Sequence, residues 1–220
     1  MAHLPEKLPA TPMPLLAKWL ADAQADNSLP NPDAMALATV DERGQPAARI
    51  VLCKQIVIEP GYLVFYTNYG SAKAAAIEAR NTVAAVFHWD HLNRQARVEG
   101  IAIRSPAAES DSYFATRDKE SQVGAWASAQ SQPIDSRRQL LNKHVATARK
   151  LSGLGVDSGI MTVPRPSFWG GYRIWVSAVE LWMRGDARLH DRARWERSLT
   201  AAEGTDPVPG KWNNPARLQP

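Results

Sequence analysis

The sequence predicts a mainly β protein in which antiparallel strands form a closed or nearly closed barrel, with short helices at its edges. Three observations indicate this class. Six or more strand-like runs follow one another along the chain. The connections between them are short and rich in turn residues, and no internal repeat is evident. With 220 residues, of which 45% are hydrophobic, the chain can bury a large core, and we expect a single domain over 1–220.

The first half of the chain is predicted to begin with a helix and to continue as strands. Apolar residues recur at helical spacing from Leu15 to Ala23, which predicts an amphipathic helix that ends near Asn27. Strands are predicted over 34–40, 47–58 and 62–68. The turn-rich stretch 41–46 predicts an antiparallel hairpin, and Glu59-Pro60-Gly61 predicts a further turn.

The second half is predicted to mix helices and strands. Ser71 is a natural N-cap for the alanine-rich helix that follows it. Strands are predicted over 82–89 and 95–104, helices over about 106–116 and 135–151, and two or three strands from Gly171 onward. The stretch 153–166 is the least structured. We expect a flexible lead over 1–14 and a mobile insert over 201–215.

Composition restricts the class of partner. The net charge is +4 and the isoelectric point is near 9.3, but 26 basic residues against 22 acidic ones form no long basic run. This balance favours small anionic ligands over nucleic acid. The sequence contains no apolar signal core and no stretch near the ~18 apolar residues of a membrane span. We therefore expect a cytoplasmic protein without membrane contact.

Cysteine and histidine usage gives no metal or disulfide signal. The single cysteine excludes an internal disulfide and is compatible with a reducing compartment. We expect Cys53 to be a small buried hydrophobe at the end of an apolar run. The five histidines lack metal-ligand spacing, so no metal site is expected.

The run Arg188-Leu189-His190-Asp191-Arg192 is the most informative feature of the chain. In an extended strand, residues two apart share a face, so Arg188, His190 and Arg192 would present three nitrogen donors to one surface. Such a cluster is unfavourable unless an anion or a planar electron-rich ring lies against it. A basic, solvated edge strand is the alternative, and the run alone does not decide between them.

Two further segments combine cations with strand or helix ends. In the run 49–54, Arg49 and Lys54 would lie on opposite faces of a regular strand and could serve different ligands, although ordinary charged strand ends give the same pattern. Ser71 and Lys73 stand where a strand breaks at Gly70 and a helix begins. Free backbone amides there would bind phosphate, and a simple capped surface helix remains the alternative.

A third anion-binding pattern lies between 113 and 131. Tyr113, Arg117 and Ser121 are four residues apart, so on one helix they would stack along a single face and suit a phosphate monoester. An exposed helix end gives the same spacing. Gln130 and Ser131 could donate to a phosphate or a heterocycle. In the tryptophan-rich tail most rings are expected in the core, and one of them could flank a planar cofactor.

Together these segments resemble the pyridoxine/pyridoxamine 5′-phosphate oxidase family, flavin-dependent enzymes that make pyridoxal 5′-phosphate. The matching stretches follow the family's order from about residue 15 to the end of the chain. They are 38–46, 49–54, 65–68, 121–126, 166–173, 188–192 and 217–220.

The resemblance implies an antiparallel split β-barrel that forms a homodimer, with FMN at the subunit interface. It implies FMN contacts from Arg49, Ile50, Val51, Leu52, Cys53, Lys54, Tyr66, Thr67, Ser71, Lys73, Gln95, Gln130, Ser131, Trp182 and Arg192. It assigns the substrate phosphate to Lys54, Tyr113, Arg117 and Ser121. It also places Arg188 and His190 over the pyridine ring, as the catalytic and substrate-binding pair.

The implied reaction oxidises pyridoxine 5′-phosphate or pyridoxamine 5′-phosphate. A hydride would pass from the exocyclic carbon of the substrate to FMN, and oxygen would reoxidise the flavin to give hydrogen peroxide. No essential protein nucleophile is expected. Two alternatives are a related flavin oxidase acting on another heterocycle, of the phenazine type, and a flavin-binding protein without turnover. A phosphate-free substrate would leave the cluster of Tyr113, Arg117, Ser121 and Lys54 without a partner.

Two departures from the family pattern affect these expectations. Ala72 stands where members commonly have Arg, which removes one cation from the cofactor-phosphate helix. A charge-assisted contact of this kind contributes ~1.5–3 kcal/mol. Some members also carry an Arg- and Tyr-bearing segment that closes over the substrate, and nothing before Leu15 resembles it.

Overall fold

The structure, a computed structural model, describes residues 3–26, 28–153, 162–200 and 206–220. The helices in this part of the chain are α1 Met13–Ala25, α2 Ala72–Ala79, α3 Ala107–Thr116, α4 Lys119–Ala127 and α5 Arg137–Gly153. The strands are β1 Ala34–Val40, β2 Pro46–Leu52, β3 Gln55–Val57, β4 Tyr62–Asn68, β5 Thr82–Trp89, β6 Arg94–Arg104, β7 Trp169–Met183, β8 Asp191–Glu196, β9 Leu199–Thr200, β10 Val208–Pro209 and β11 Ala216–Leu218.

Nine strands form one antiparallel sheet that curls into a split barrel, which confirms the predicted fold class. The main path through the sheet is β11-β8-β7-β6-β5-β1-β2. The long strand β7 pairs with β6 along one edge, while β4 and then β8 pair with its other edge. Strand β7 therefore holds together the parts of the sheet that carry the predicted site residues.

The predicted hairpin of β1 and β2 is confirmed, but the predicted strand over 47–58 is interrupted. The chain changes its hydrogen-bonding partner at the break. The Cys53 N–H donates to the Asp33 carbonyl at 2.8 Å, and the next N–H, that of Lys54, donates to the Val64 carbonyl at 2.8 Å. Lys54 thus lies between β2 and β3, and the expectation of one regular strand carrying Arg49 and Lys54 was wrong.

The helix α4 was not predicted. Its N-cap is Asp118, whose carboxylate accepts the Ser121 N–H at 2.7 Å. The C-terminal region also contains more strands than the two or three expected. The additional ones, β9 to β11, have two or three residues each, too few to show an alternating pattern in the sequence.

Two apolar clusters form the core. The larger one packs α1 against the inner face of the sheet and includes Cys53, which is 1% exposed, as predicted. Burial raises the pKa of the Cys53 thiol to about 12. The smaller cluster packs α3, α4 and α5 against the start of β7, around Phe114 and Trp169. This second cluster supports the candidate site.

Both chain ends contact strand β8: β11 pairs with it near the C-terminus, and two hydrogen bonds join it to the N-terminal segment. The Leu4 N–H donates to Asp191 at 2.9 Å, and the Trp195 indole donates to the Pro9 carbonyl at 2.8 Å. Residues 201–205 of the predicted insert lie outside the described residues, and β10, which follows them, pairs with β9. The single domain, the flexible lead and the mobile insert stay predictions. None of the helices in the described ranges combines the length and apolar character that a membrane crossing requires.

Candidate functional site

A cleft of about 470 Å³ opens where β4, α2, α3 and α4 meet the end of β2. It gathers many of the predicted site residues from segments that are far apart in the sequence. Those predicted residues are Ile50, Val51, Leu52, Lys54, Tyr66, Thr67, Lys73, Tyr113, Arg117, Ser121 and Gln130. Asn68, Gly124, Ala125, Ser128 and Trp169 complete the lining.

Lys73 is the buried cation at one end of the cleft. Its ammonium donates to Thr67 Oγ1 at 3.1 Å, to Ser71 Oγ at 3.3 Å and to Gln130 Oε1 at 3.0 Å. All three acceptors are uncharged. Burial and the neighbouring Arg49 charge lower the pKa of Lys73. An anion at this end of the cleft would offset both the desolvation and the like-charge repulsion.

The Lys73 end of the cleft is built as the sequence predicts. Ser71 caps α2 by accepting the Ala74 N–H at 3.4 Å, and Lys73 stands in the first turn of that helix. Arg49 lies beside the cleft, where its guanidinium donates to the Leu37 carbonyl at 3.1 Å and to Thr39 Oγ1 at 2.8 Å. A helix N-terminus and two cations therefore converge on one place.

Arg117 is the cation at the other end of the cleft. Its Nη1 atom is buried and has no hydrogen-bond partner among the described residues. The guanidinium lies 4.7 Å from the centroid of the Trp169 ring, and burial lowers its pKa. A buried, unsatisfied guanidinium nitrogen is costly, and a ligand that supplies an acceptor would satisfy it.

Tyr113, Arg117 and Ser121 all line the cleft, but not for the predicted reason. Helix α3 ends at Thr116 and Arg117 is its C-cap, so the three residues do not share one helical face. The Asp118 cap then starts α4 in a new direction. The expectation of one continuous helix was wrong, and the break between α3 and α4 is what turns the three side chains into the cleft.

Three aromatic rings with nearly parallel planes line one side of the cleft. The Tyr66 and Tyr113 rings are stacked with centroids 3.8 Å apart, and Tyr66 and Trp169 are stacked at 5.5 Å. Burial raises the pKa of the Tyr66 hydroxyl, so it stays protonated. Strand β7 approaches closely here, because a Cβ at Gly171 would lie 2.9 Å from Tyr66 Cε1. A flat ligand would extend this stack.

Lys54 differs from the other cations of the cleft because it is already paired with a carboxylate. Its ammonium lies 2.7 Å from Asp33 Oδ2. The sequence interpretation missed Asp33, and it also missed Asn68, whose side chain accepts the Gly70 N–H at 2.8 Å and donates to the Ser128 carbonyl at 3.0 Å. An Asn two residues before a glycine turn is a usable signal for such a bridge.

Five other predicted site residues lie on β6, on β7, on β8 and in the turn between β7 and β8. We call them the strand cluster: Gln95, Trp182, Arg188, His190 and Arg192. Gln95 pairs with Trp182 across β6 and β7, and Trp182 pairs with Arg192 across β7 and β8, so these three share one face. The ring centroids of Trp182 and His190 are 4.6 Å apart, and His190 Nδ1 accepts the Gly185 N–H at 3.2 Å.

The run 188–192 is not one extended strand, so the predicted common face for its three nitrogen donors was wrong. Residues 186–188 form a short 3₁₀ turn, and β8 begins only at Asp191. Ala187 and Arg188 have φ of 50° and 65°, in the left-handed region. The turn is tight, since a Cβ at Gly185 would lie 1.9 Å from the Leu189 carbonyl oxygen.

Two predicted contacts remain away from both regions. Cys53 points into the core, where its Sγ donates to the Gln55 carbonyl, and Ser131 lies in a turn with φ of 71° beside a neighbouring depression. The structure therefore divides the predicted site into the cleft and the strand cluster.

Comparison with known proteins relates both halves of the chain to the same family. Residues 21–152 match a family model described as pyridoxamine 5′-phosphate oxidase, and residues 169–220 match one described as a pyridoxine 5′-phosphate oxidase C-terminal dimerisation region. A relative from Cereibacter sphaeroides, named pyridoxine/pyridoxamine 5′-phosphate oxidase, is 47% identical over 85% of this chain and 88% of its own. One of the same name from Rubrobacter xylanophilus is 45% identical over 95% and 87%.

Two solved structures share the fold. PhzG from Burkholderia lata, in complex with tetrahydrophenazine-1-carboxylic acid, is 28% identical with a TM-score of 0.80, over 96% of this chain and 94% of its own. A pyridoxamine 5′-phosphate oxidase-related, FMN-binding protein from Nostoc punctiforme is 16% identical with a TM-score of 0.66, over 94% and 96%.

Proposed function

Because the chain belongs to the pyridoxamine 5′-phosphate oxidase family, we propose that it oxidises pyridoxine 5′-phosphate or pyridoxamine 5′-phosphate to pyridoxal 5′-phosphate with FMN as its cofactor. Bound FMN would supply the redox chemistry, taking a hydride from the exocyclic carbon and passing the electrons to oxygen to give hydrogen peroxide. With pyridoxamine 5′-phosphate, water would then supply the aldehyde oxygen and the amine nitrogen would leave as ammonia. One observation carries the proposal: a single cleft holds two separate cationic ends, at Lys73 and at Arg117, joined by a wall of stacked aromatic rings.

The Lys73 end fits the phosphate of FMN. Lys73 is buried among uncharged acceptors beside Arg49, and the Ser71-capped end of α2 adds backbone amides. A phosphate dianion would neutralise both cations and accept from Thr67. We therefore assign Arg49, Thr67, Ser71, Lys73 and Gln130 to the cofactor.

The Arg117 end fits the substrate phosphate. Arg117 would fill its unsatisfied Nη1 with a phosphate oxygen, and Tyr113 and Ser121 would add single donors. Lys54 would either join them or stay with Asp33 to close the rim of the cleft. These residues bind and orient the substrate, so that its exocyclic carbon faces the flavin.

The strand cluster would complete the site from a second copy of the chain. Its residues lie within 169–220, which match a dimerisation region, apart from Gln95 on the neighbouring strand. In a two-fold symmetric dimer each copy would offer its cleft to the strand cluster of the other. Arg188 and His190 would then cover the pyridine ring, while Trp182, Gln95 and Arg192 contact the flavin.

The visible spectrum of the purified protein tests cofactor and substrate together. We expect flavin bands that bleach on anaerobic addition of pyridoxine 5′-phosphate and return in air with release of hydrogen peroxide. Unphosphorylated pyridoxine at the same concentration is the control and should leave the bands unchanged. A protein that takes up no flavin contradicts the cofactor, and a yellow protein that the phosphate ester does not bleach contradicts the oxidase and favours flavin binding without turnover.

The likeness to PhzG favours a second candidate, a flavin oxidase acting on a phenazine-type heterocycle. A substrate without phosphate would leave the Arg117 guanidinium unsatisfied, which is why we rank this candidate lower. Bleaching by a reduced phenazine carboxylate, with no response to pyridoxine 5′-phosphate, would reverse the ranking.

A further inference from the structure

Glu180 is a buried carboxylate on β7. Its side chain is 4% exposed. It lies two residues before Trp182 on the same strand and so on the same face of the sheet. Trp182 is the centre of the row that Gln95 and Arg192 complete on the neighbouring strands. Glu180 therefore stands directly beside three residues of the strand cluster.

The Glu180 carboxylate fixes one of those residues. Its Oε1 accepts from Arg192 Nε at 3.0 Å and from Nη2 at 2.7 Å, while Oε2 accepts from Arg97 at 3.1 Å. The remaining Arg192 nitrogen, Nη1, donates to the Gln219 carbonyl at 2.8 Å. The guanidinium is thus held from two sides, with Glu180 engaging two of its three nitrogens.

A nearby ion pair provides a comparison, because it neutralises an arginine without burying the carboxylate. On the same face, Arg194 forms two hydrogen bonds with Glu99, at 3.0 and 2.9 Å, and Glu99 is 37% exposed. Water can partly solvate Glu99, whereas Glu180 is almost completely shielded from it. Burying a carboxylate costs free energy that its partners must repay, so placing one behind Arg192 favours a role in orientation.

We infer that Glu180 is a positioning residue, which holds Arg192 in the orientation that binds the flavin. The inference rests on the proposed function, because it needs FMN as the ligand. It also predicts the direction in which FMN affinity should change when Glu180 is neutralised. Removing a negative charge near an anionic cofactor should by itself strengthen binding. Weaker binding in Glu180→Gln would therefore report the lost orientation of Arg192.

The test is equilibrium dialysis of the holoenzyme against decreasing FMN, with thermal unfolding as the check on folding. We expect Glu180→Gln to raise the Kd for FMN about tenfold, the scale of a lost charge-assisted contact. Glu99→Gln is the matched control, with the same charge change on the same face, and should change Kd by less than about twofold. In an Arg192→Ala background, Glu180→Gln should not change the Kd for FMN any further. If Glu180 had only a structural role, the substitution would raise the Kd in that background too.

Glu180→Asp provides the measurement if Glu180→Gln does not fold. It keeps the charge but withdraws the carboxylate by one methylene, so we expect a smaller rise in Kd that also disappears in the Arg192→Ala background. Unchanged or tighter FMN binding in the folded Glu180 variant, or an effect that persists without Arg192, overturns this inference alone. A wild-type protein that binds no FMN overturns the proposed function as well, and the two failures are thus distinct.

Discussion

The cleft and the strand cluster both contain cations, but they balance them differently. In the cleft, the hydrogen bonds of Lys73 reach only uncharged acceptors, and Arg117 Nη1 has no partner within the described residues. In the strand cluster, Arg192 is bound by the buried Glu180. Charge left unbalanced in a buried place indicates where an external anion binds. Charge balanced inside the chain indicates a side chain that must be held still.

The two regions also differ in how they are assembled. The cleft joins four separate segments through helix ends and one turn, so its side chains converge only after folding. The strand cluster is a cross-strand row set by sheet register, with one irregular turn added. Under the proposed function each region is half of a site, and a partner copy supplies the other half.

The largest expected effect comes from removing the unbalanced charge of the cleft. We predict that Arg117→Ala lowers kcat/KM about a thousandfold, since two charge-assisted bonds of ~1.5–3 kcal/mol each would be lost. The melting temperature should not fall, because the variant removes a buried unsatisfied nitrogen. Steady-state kinetics and thermal unfolding measure both. Arg43 forms an exposed ion pair on the hairpin turn, and the control variant Arg43→Ala should leave kcat/KM and the melting temperature unchanged. Equal losses of kcat/KM in the two variants would contradict a specific role for the Arg117 charge.

A smaller loss is expected on the strand-cluster side. Arg188 is exposed in its turn, so Arg188→Ala should lower kcat about thirtyfold, by loss of one charged contact, and hardly affect folding. The comparison is with Arg184→Ala, an exposed residue of the same connection, which should retain its turnover. Unchanged oxidase activity in Arg188→Ala would remove Arg188 from the catalytic pair.

Coexpressing the two variants tests whether the regions belong to one site. If each site combines the cleft of one copy with the strand cluster of the other, mixed dimers keep one intact site, and activity should recover to about a quarter of wild type. As a control, Arg188→Ala is coexpressed with a chain carrying both substitutions, which should give no recovery. Activity no higher than the average of the two variants would mean that each copy works alone.

The smallest expected effect concerns the Lys73 end of the cleft. Ala72 is exposed at the start of α2, next to Lys73. Ala72→Arg would add the cation common in the family, and we predict about threefold tighter FMN binding, because a solvated charge contributes little. Ala72→Gln matches the added length without the charge and should not tighten binding. Equal binding in all three proteins would mean that Arg49 and Lys73 already saturate the phosphate.

Much of the fold follows from local patterns in the sequence. The strands β1, β4 and β5 begin and end at the predicted residues, and Ser71 caps its helix as expected. Among the charged and polar residues described above, Lys73, Arg117 and Gln130, which lie in one cleft, were identified from the sequence. Asp33 and Glu180 were not, because an isolated acidic residue carries no sign of the cation it will meet.

The sequence by itself determined the type of fold and indicated candidate anion-binding residues, since alternation, capping and the residue types that bind anions are properties of neighbouring residues. The tertiary structure decided where the strand after Cys53 changes partner, where α3 gives way to α4, and which face Arg188 presents. Those outcomes depend on hydrogen bonds to distant carbonyls such as those of Asp33 and Val64. Contacts between residues far apart in the chain leave no periodic trace in it, so only the folded chain could divide the predicted residues between the cleft and the strand cluster.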